Sequence, residues 1–211
     1  MGLRLRVLII VMVLGIGFGV PSFAQGLVSN KEAIDQIIKK AHKGDADSQF
    51  ALGALYANGV GVRQDFDKAQ KWLEKSLKSF KKAAVRGNAH AQFALGMLYG
   101  EGKHVLQDYV RAREWFEKAA SNGNSDAQLA LGILYEEGKG VRQDYGKAWE
   151  WFKKAAASGN PKAQLMLGAS YAQGQGVRQS YREAKEWFGK ACDNGYQIGC
   201  DRYRELNEGG Y

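Results

Sequence analysis

Apolar residues recur along this chain in two alternating stripes. Between Ser125 and Glu137, Ala127, Leu131 and Tyr135 fall at a spacing of four, which places them on one side of a helix. From Tyr145 a second stripe follows, made of Ala148, Phe152, Ala155 and Ala156, with Glu150, Lys153 and Lys154 off it. That is the pattern of a helix burying a single face. The pattern therefore predicts a helix A over Ser125 to Glu137 and a helix B starting at Tyr145. The segment between them reads EEGKGVRQD. Gly138 and Gly140 suit the positive φ angles of a helix C-terminus and a tight turn, and Asp144 stands where an N-cap belongs. Small and large residues alternate on the stripes. Gly132 and Ala148 let backbones approach while Tyr135, Trp151 and Phe152 fill the space beside them.

This helix pair is one copy of several. AQFALGMLYGEGKHVLQDYVRAREWFEKAASNGN, from Ala91, returns 36 residues later as AQLALGILYEEGKGVRQDYGKAWEWFKKAAASGN, and again from Ala163. A period in the thirties marks stacked helical hairpins, in which one unit cannot bury its apolar face but a row of units can. The repeats divide the chain into units over 44–86, 87–122, 123–158 and 159–194. A capping helix within 25–43, carrying Ala33, Ile37 and Ala41, precedes them. A half-repeat and tail over 195–211 follows, its helix expected to end near Leu206 and Glu208 to Tyr211 to fray.

Two units depart from the pattern. The first is seven residues longer, with KWLEKSL followed by KSFKKAA between Lys71 and Ala84. Seven residues are about two turns, so the stripe keeps its face while helix B grows by roughly 10 Å. This predicts a protruding helix, with Leu77 on a candidate partner-binding edge. In the second unit His104 replaces the second turn glycine and Leu106 replaces the arginine. This predicts the least regular turn and makes His104 a further candidate.

The recurring A-Q-x-x-L-G-x-x-Y, glycine turn and W-F-x-K-A-A elements, from Lys31 to about Tyr203, resemble the Sel-1-like repeat family, relatives of the tetratricopeptide repeat. The resemblance implies an all-α, right-handed superhelical solenoid of antiparallel helix pairs, used as an adaptor or binding surface. It also implies, from exported bacterial members that often act in envelope maintenance or host contact, a role of that kind without a ligand common to the family.

The ends and the charge refine that expectation. Arg4 and Arg6, the apolar run Val7 to Val20, then Pro21, Ser22, Phe23 and Ala24 have the three parts of a secretory signal, with cleavage expected after Ala24. The run is short for a bilayer span of about 20 residues, so an uncleaved anchor is the lesser reading. Cleavage leaves no transmembrane segment and a periplasmic or secreted product. The formal charge of +8 is spread through every unit. It favours acidic surfaces in general, an acidic cell-surface polymer among them. Nucleic acid is disfavoured, because the aromatic residues recur at packing positions and do not interleave with basic ones as stacking platforms.

Cys192 and Cys200 stand eight apart, where the preceding unit has Ala156 and Gln164. One lies near the end of a helix B and the other in the first turn of the next helix A. A disulfide fits there in an exported chain, with two buried free thiols as the alternative. The placement resembles the bridges of the cysteine-rich subfamily of these repeats.

Catalytic groups are harder to assemble. Ser79 and Lys82 form S-x-x-K, but S-D-N and K-T-G are missing and the chain has no threonine. His42, His90 and His104 fall at unrelated repeat positions, so neither a metal site nor another cofactor site is expected. The reading is a non-catalytic scaffold for a protein or peptide partner. The alternative, implied by the cysteine-rich relatives, is β-lactam- or peptidoglycan-related binding or hydrolysis. In a curved stack the A helices line the inner face. One varying column there is Ala54, Met97, Ile133, Ala169, and another is Ala57, Gly100, Glu136, Ala172. Met97 and Ile133 are candidate contacts, or else packing residues against the neighbouring helix A. Trp149 is a third, since its counterparts Gln70, Arg113 and Lys185 are polar.

Overall fold

A computed structural model describes residues 31–102 and 105–210. Among the described residues there are ten helices and no strand: α1 (Lys31–His42), α2 (Ala46–Asn58), α3 (Phe66–Val85), α4 (Ala89–Glu101), α5 (Tyr109–Ser121), α6 (Ser125–Glu137), α7 (Tyr145–Ala157), α8 (Pro161–Gln173), α9 (Tyr181–Asp193) and α10 (Gln197–Glu208). The fold is an all-α helical repeat. Residues 1–24, read above as a secretory signal, and His104 lie outside the described residues.

The helices fall into two compact units, α1 to α3 and α4 to α10. Within each, every helix packs on the next in sequence. The first is built on Ile34, Ile37, Ala41, Leu52 and Leu55. In the second, Phe116, Leu131, Phe152 and Leu167 recur at the centre of successive helix pairs.

Local chemistry sets each boundary. Helices α2, α4, α6 and α8 open on Asp45, Asn88, Asn124 and Asn160, whose side chains accept from the backbone N–H three residues on. Asp108, Asp144 and Ser180 do the same for α5, α7 and α9. The turn between partner helices is held by its glutamine. Gln143 Nε2 donates to the Glu136 carbonyl at 2.7 Å, and Gln64, Gln107 and Gln179 repeat that bond. Gly140 takes φ 66°, and a Cβ there would also strike the Tyr109 backbone. Both conformation and space therefore require glycine. Inside the pairs, a Cβ on Gly132 would overlap the Phe152 ring, and Gly96 with Phe116 and Gly168 with Phe188 repeat the arrangement.

In several repeats a polar clasp built on the helix A glutamine links it to a neighbouring helix B. Gln49 Nε2 donates to the Ala41 carbonyl, and Gln164 Nε2 to that of Ala156. The other end of the amide serves the helix B that follows. Asn122 donates to Gln92 Oε1 and Asn194 to Gln164 Oε1, both at 2.9 Å, and Ser79 Oγ donates to Gln49 Oε1 at 2.8 Å. The third repeat breaks the series. Ser158 is too short to reach, and its hydroxyl donates to the Lys154 carbonyl instead. Gln128 Oε1 is left buried without a partner. Cys192 and Cys200, at the positions of Ala156 and Gln164, form a disulfide with a Cα–Cα distance of 4.6 Å. The last clasp is thus covalent.

The added turns of α3 behave differently from a free projection. The stripe of Leu73, Ser76, Phe80 and Ala84 stays buried throughout, with Phe80 3% and Ala84 2% exposed. Only its end is bare, at Val85, which is 81% exposed. At the other terminus α10 runs to Glu208, two residues past Leu206. Polar residues do not stop a helix, and no breaker precedes Gly209.

Candidate functional site

The repeats present one face that varies. On α6, Leu129, Ile133 and Glu136 follow at spacings of four and three, so they lie on one side of the helix. Their counterparts are Phe93, Met97 and Gly100 on α4, and Leu165, Ala169 and Ala172 on α8. Phe93 and Leu129 are buried, whereas Met97 and Ile133 are half-buried, each against a core cluster shared by its repeat and the next. Part of each side chain packs and part faces solvent.

Glu136 stands at the end of this strip. It is half-buried, and burial raises its pKa above the ordinary glutamate value, with the adjacent Glu137 charge adding to the rise. The neighbouring carboxylate is served differently. Lys139 lies 2.9 Å from Glu137 and close over the Tyr109 ring, so that cation is engaged. No cation lies within ion-pair distance of Glu136 among the described residues. Its counterparts at this register in the repeats are the small residues Ala57, Gly100 and Ala172.

Trp149 is half-buried and not a bare surface aromatic. Its indole meets Tyr171 edge-on with centroids 6.2 Å apart, and the Lys153 ammonium lies 4.9 Å over the ring. Nε1 is buried beside the Tyr171 hydroxyl without completing a hydrogen bond to it. Burial raises the Tyr171 hydroxyl above its ordinary value, Glu183 adds to this, and Trp149 partly offsets it. Earlier repeats place a cation over the equivalent tyrosine: Lys68 over Tyr56, Arg111 over Tyr99 and Lys147 over Tyr135. In the fourth, Glu183 holds that position, and Trp149 supplies the aromatic neighbour.

The other sequence candidates scatter. Leu77 is half-buried on α3. Ser79 spends its hydroxyl proton on Gln49, the role of Asn122 and Asn194 in later repeats. His42 stacks edge-on against Trp72 and bonds to the Ile38 carbonyl. Among the described residues no three His, Cys, Asp or Glu side chains cluster as metal ligands, and no helix is long and apolar enough to cross a membrane. The sequence also carried a signal left unused, the W-x-x-K spacing in every helix B. It lays Lys75, Lys118, Lys154 and Lys190 over Trp72, Trp115, Trp151 and Trp187 at 3.9 to 4.3 Å. Those rings are covered by the protein's own cations.

Comparison with known proteins agrees with this construction. The Sel1 repeat model matches residues 46–79, 89–124, 125–160 and 161–196. The first match stops within α3 and the second begins with α4, which leaves 80–88, with the last turns of α3, outside both. Among solved structures, a protective antigen of uropathogenic Escherichia coli with an SLR fold is 32% identical, with a TM-score of 0.62 over 84% of this chain and 44% of that one. This chain therefore spans less than half the length of that relative. A Sel1 repeat protein from Oxalobacter formigenes is 29% identical, with a TM-score of 0.65 over 84% of this chain and 77% of its own. Among curated proteins, none matches. Four matched repeats over most of the described residues, in a fold shared with these structures, show that the chain belongs to the Sel1 repeat family.

Proposed function

We propose that this protein is an exported, non-catalytic interaction scaffold that holds a protein or peptide partner in the bacterial envelope or at a host surface. Sel1 repeats serve generally as protein-interaction scaffolds. The observation that carries the reading is the strip on α4, α6 and α8. Buried positions of the repeat are nearly uniform there, while the accessible ones change from Met97 to Ile133 to Ala169 and from Gly100 to Glu136 to Ala172. A surface that varies on a constant frame reads a ligand without doing chemistry on it. Export is supported by the disulfide, a bond that persists in oxidising compartments, and by the signal-like segment ahead of α1. That the Escherichia coli relative is a protective antigen favours host contact.

Crosslinking in the native cell, followed by mass spectrometry of the envelope and secreted fractions, tests the proposal, and N-terminal sequencing of the mature protein tests the cut after Ala24. A discrete protein partner on a chain beginning at Gln25 is expected. A cytoplasmic chain retaining Met1, or no specific crosslinked partner, counts against it. The β-lactam reading has a separate test. The Ser79 hydroxyl gives its proton to the Gln49 amide, which is not a base, so a labelled penicillin should fail to acylate the purified protein.

A further inference from the structure

The charge at Glu136 has no internal explanation. The protein is basic overall, with a formal charge of +8, and a carboxylate placed on it has many lysines and arginines from which to draw a partner. Most described ion pairs follow one pattern, an acid and a base three or four residues apart on one helix, as Glu117 does with Arg113 at 2.7 Å. Glu136 has no such base. Positions 132 and 133 before it hold Gly132 and Ile133, and Lys139 after it is drawn to Glu137. Its desolvation is therefore uncompensated, although the carboxylate remains accessible enough to meet a ligand. Ile133 lies one turn back on the same side of α6 and offers an apolar surface within about 6 Å of it. Met97 offers another at the same register one repeat earlier.

Resting on the scaffold reading above, we propose that this strip takes an extended peptide segment of its partner that sets a lysine or arginine against the Glu136 carboxylate and apolar side chains on Ile133 and Met97. Charge complementarity selects this occupant. A cation brought by the ligand supplies the partner that the fold withholds, while an acidic segment would set like charge against Glu136 and be repelled. Gly100 and Ala172, the counterparts one repeat to either side, bring no long side chain to this register. The site lies wholly on α4, α6 and α8.

The test is selection of random nine-residue peptides by phage display on the wild-type chain and on the Glu136→Gln and Glu136→Lys variants, each checked by circular dichroism for retained helix. Wild type should enrich lysine or arginine next to leucine, isoleucine, valine or phenylalanine. Glu136→Gln should weaken the selected peptides by about tenfold or more, the range expected for loss of a charge-assisted hydrogen bond. Glu136→Lys should enrich aspartate or glutamate at the basic position instead. Peptides without basic enrichment, or basic peptides that bind Glu136→Gln and Glu136→Lys as tightly as wild type, overturn this proposal and leave the scaffold reading standing. If no peptide can be selected on any form and the protein instead binds a polyanion such as heparin with steep salt dependence, both fall.

Discussion

Replacing Ser158 by asparagine should stabilise the protein, and the size of the gain can be worked from its neighbours. In the second and fourth repeats Asn122 and Asn194 donate to Gln92 and Gln164 at 2.9 Å. In the third, Gln128 Oε1 is buried and unpartnered. The backbone is already correct. Ser158 has φ −81° and ψ 8°, against −91° and 16° at Asn122 and −83° and 15° at Asn194, so Ser158→Asn introduces no strain. Satisfying a buried carbonyl recovers about 1–3 kcal/mol. Against this stand the lost Ser158 to Lys154 bond, at 3.3 Å a long one, and roughly 0.5–1 kcal/mol of side-chain freedom. The net is about 1 kcal/mol, or a rise in Tm of about 2–4 °C for a chain of this size. Differential scanning calorimetry measures it, and hydrogen exchange should show added protection in α6 and α7. The mirror change Asn122→Ser should cost a similar amount. Ser158→Asn without a gain, alongside Asn122→Ser without a loss, would falsify the clasp as a source of stability.

Other expectations follow from the same geometry. Replacing both cysteines by serine should cost about 2.5 kcal/mol from loop closure and fray α10 first, whereas Cys192→Ala with Cys200→Gln should recover part of that by restoring the clasp of Ala156 and Gln164; chemical denaturation of the three forms distinguishes them. Gly132→Ala should destabilise by about 2 kcal/mol despite its better helix propensity, because the new methyl meets the Phe152 ring. Gly100→Ala should stabilise by up to about 1 kcal/mol, since its methyl would make only ordinary contact with Ala112; thermal melts of the pair check both. Because burial raises the Glu136 pKa, the folded state favours its neutral form, so this group's stabilising effect is present below the unfolded pKa and lost as pH rises through the folded one. Glu136→Gln should therefore gain stability relative to wild type across the weakly acidic range and show no difference in strong acid. A constant difference at all pH values would contradict the assignment.

Periodicity made the frame legible. The edges of α6 and the start of α7 follow from the alternation of stripes and from Gly138 and Asp144, because each boundary is set by residues within a few positions of it. Cys192 and Cys200 were legible for the same reason, since repeat alignment places both at known positions of a helical turn. What escaped the sequence depends on distant atoms. Trp149 reads as an exposed oddity by comparison with Gln70, Arg113 and Lys185, but Tyr171 on the next helix receives it. The added heptad of α3 reads as a projection by length alone, yet Phe80 and Ala84 are buried. Glu136 occupies a column that is otherwise small, and its missing counter-ion emerges only when Lys139 is found committed to Glu137.

The scaffold claim is most directly tested by site-specific photo-crosslinking in native cells, with the photoreactive residue at Met97 on the variable strip or at Glu114 on the exposed side of α5. A scaffold that reads its partner along this strip gives a discrete protein adduct from position 97 that is absent from position 114 and weakened when Glu136→Gln is added. Equal adducts from both positions, or none from position 97, would contradict it.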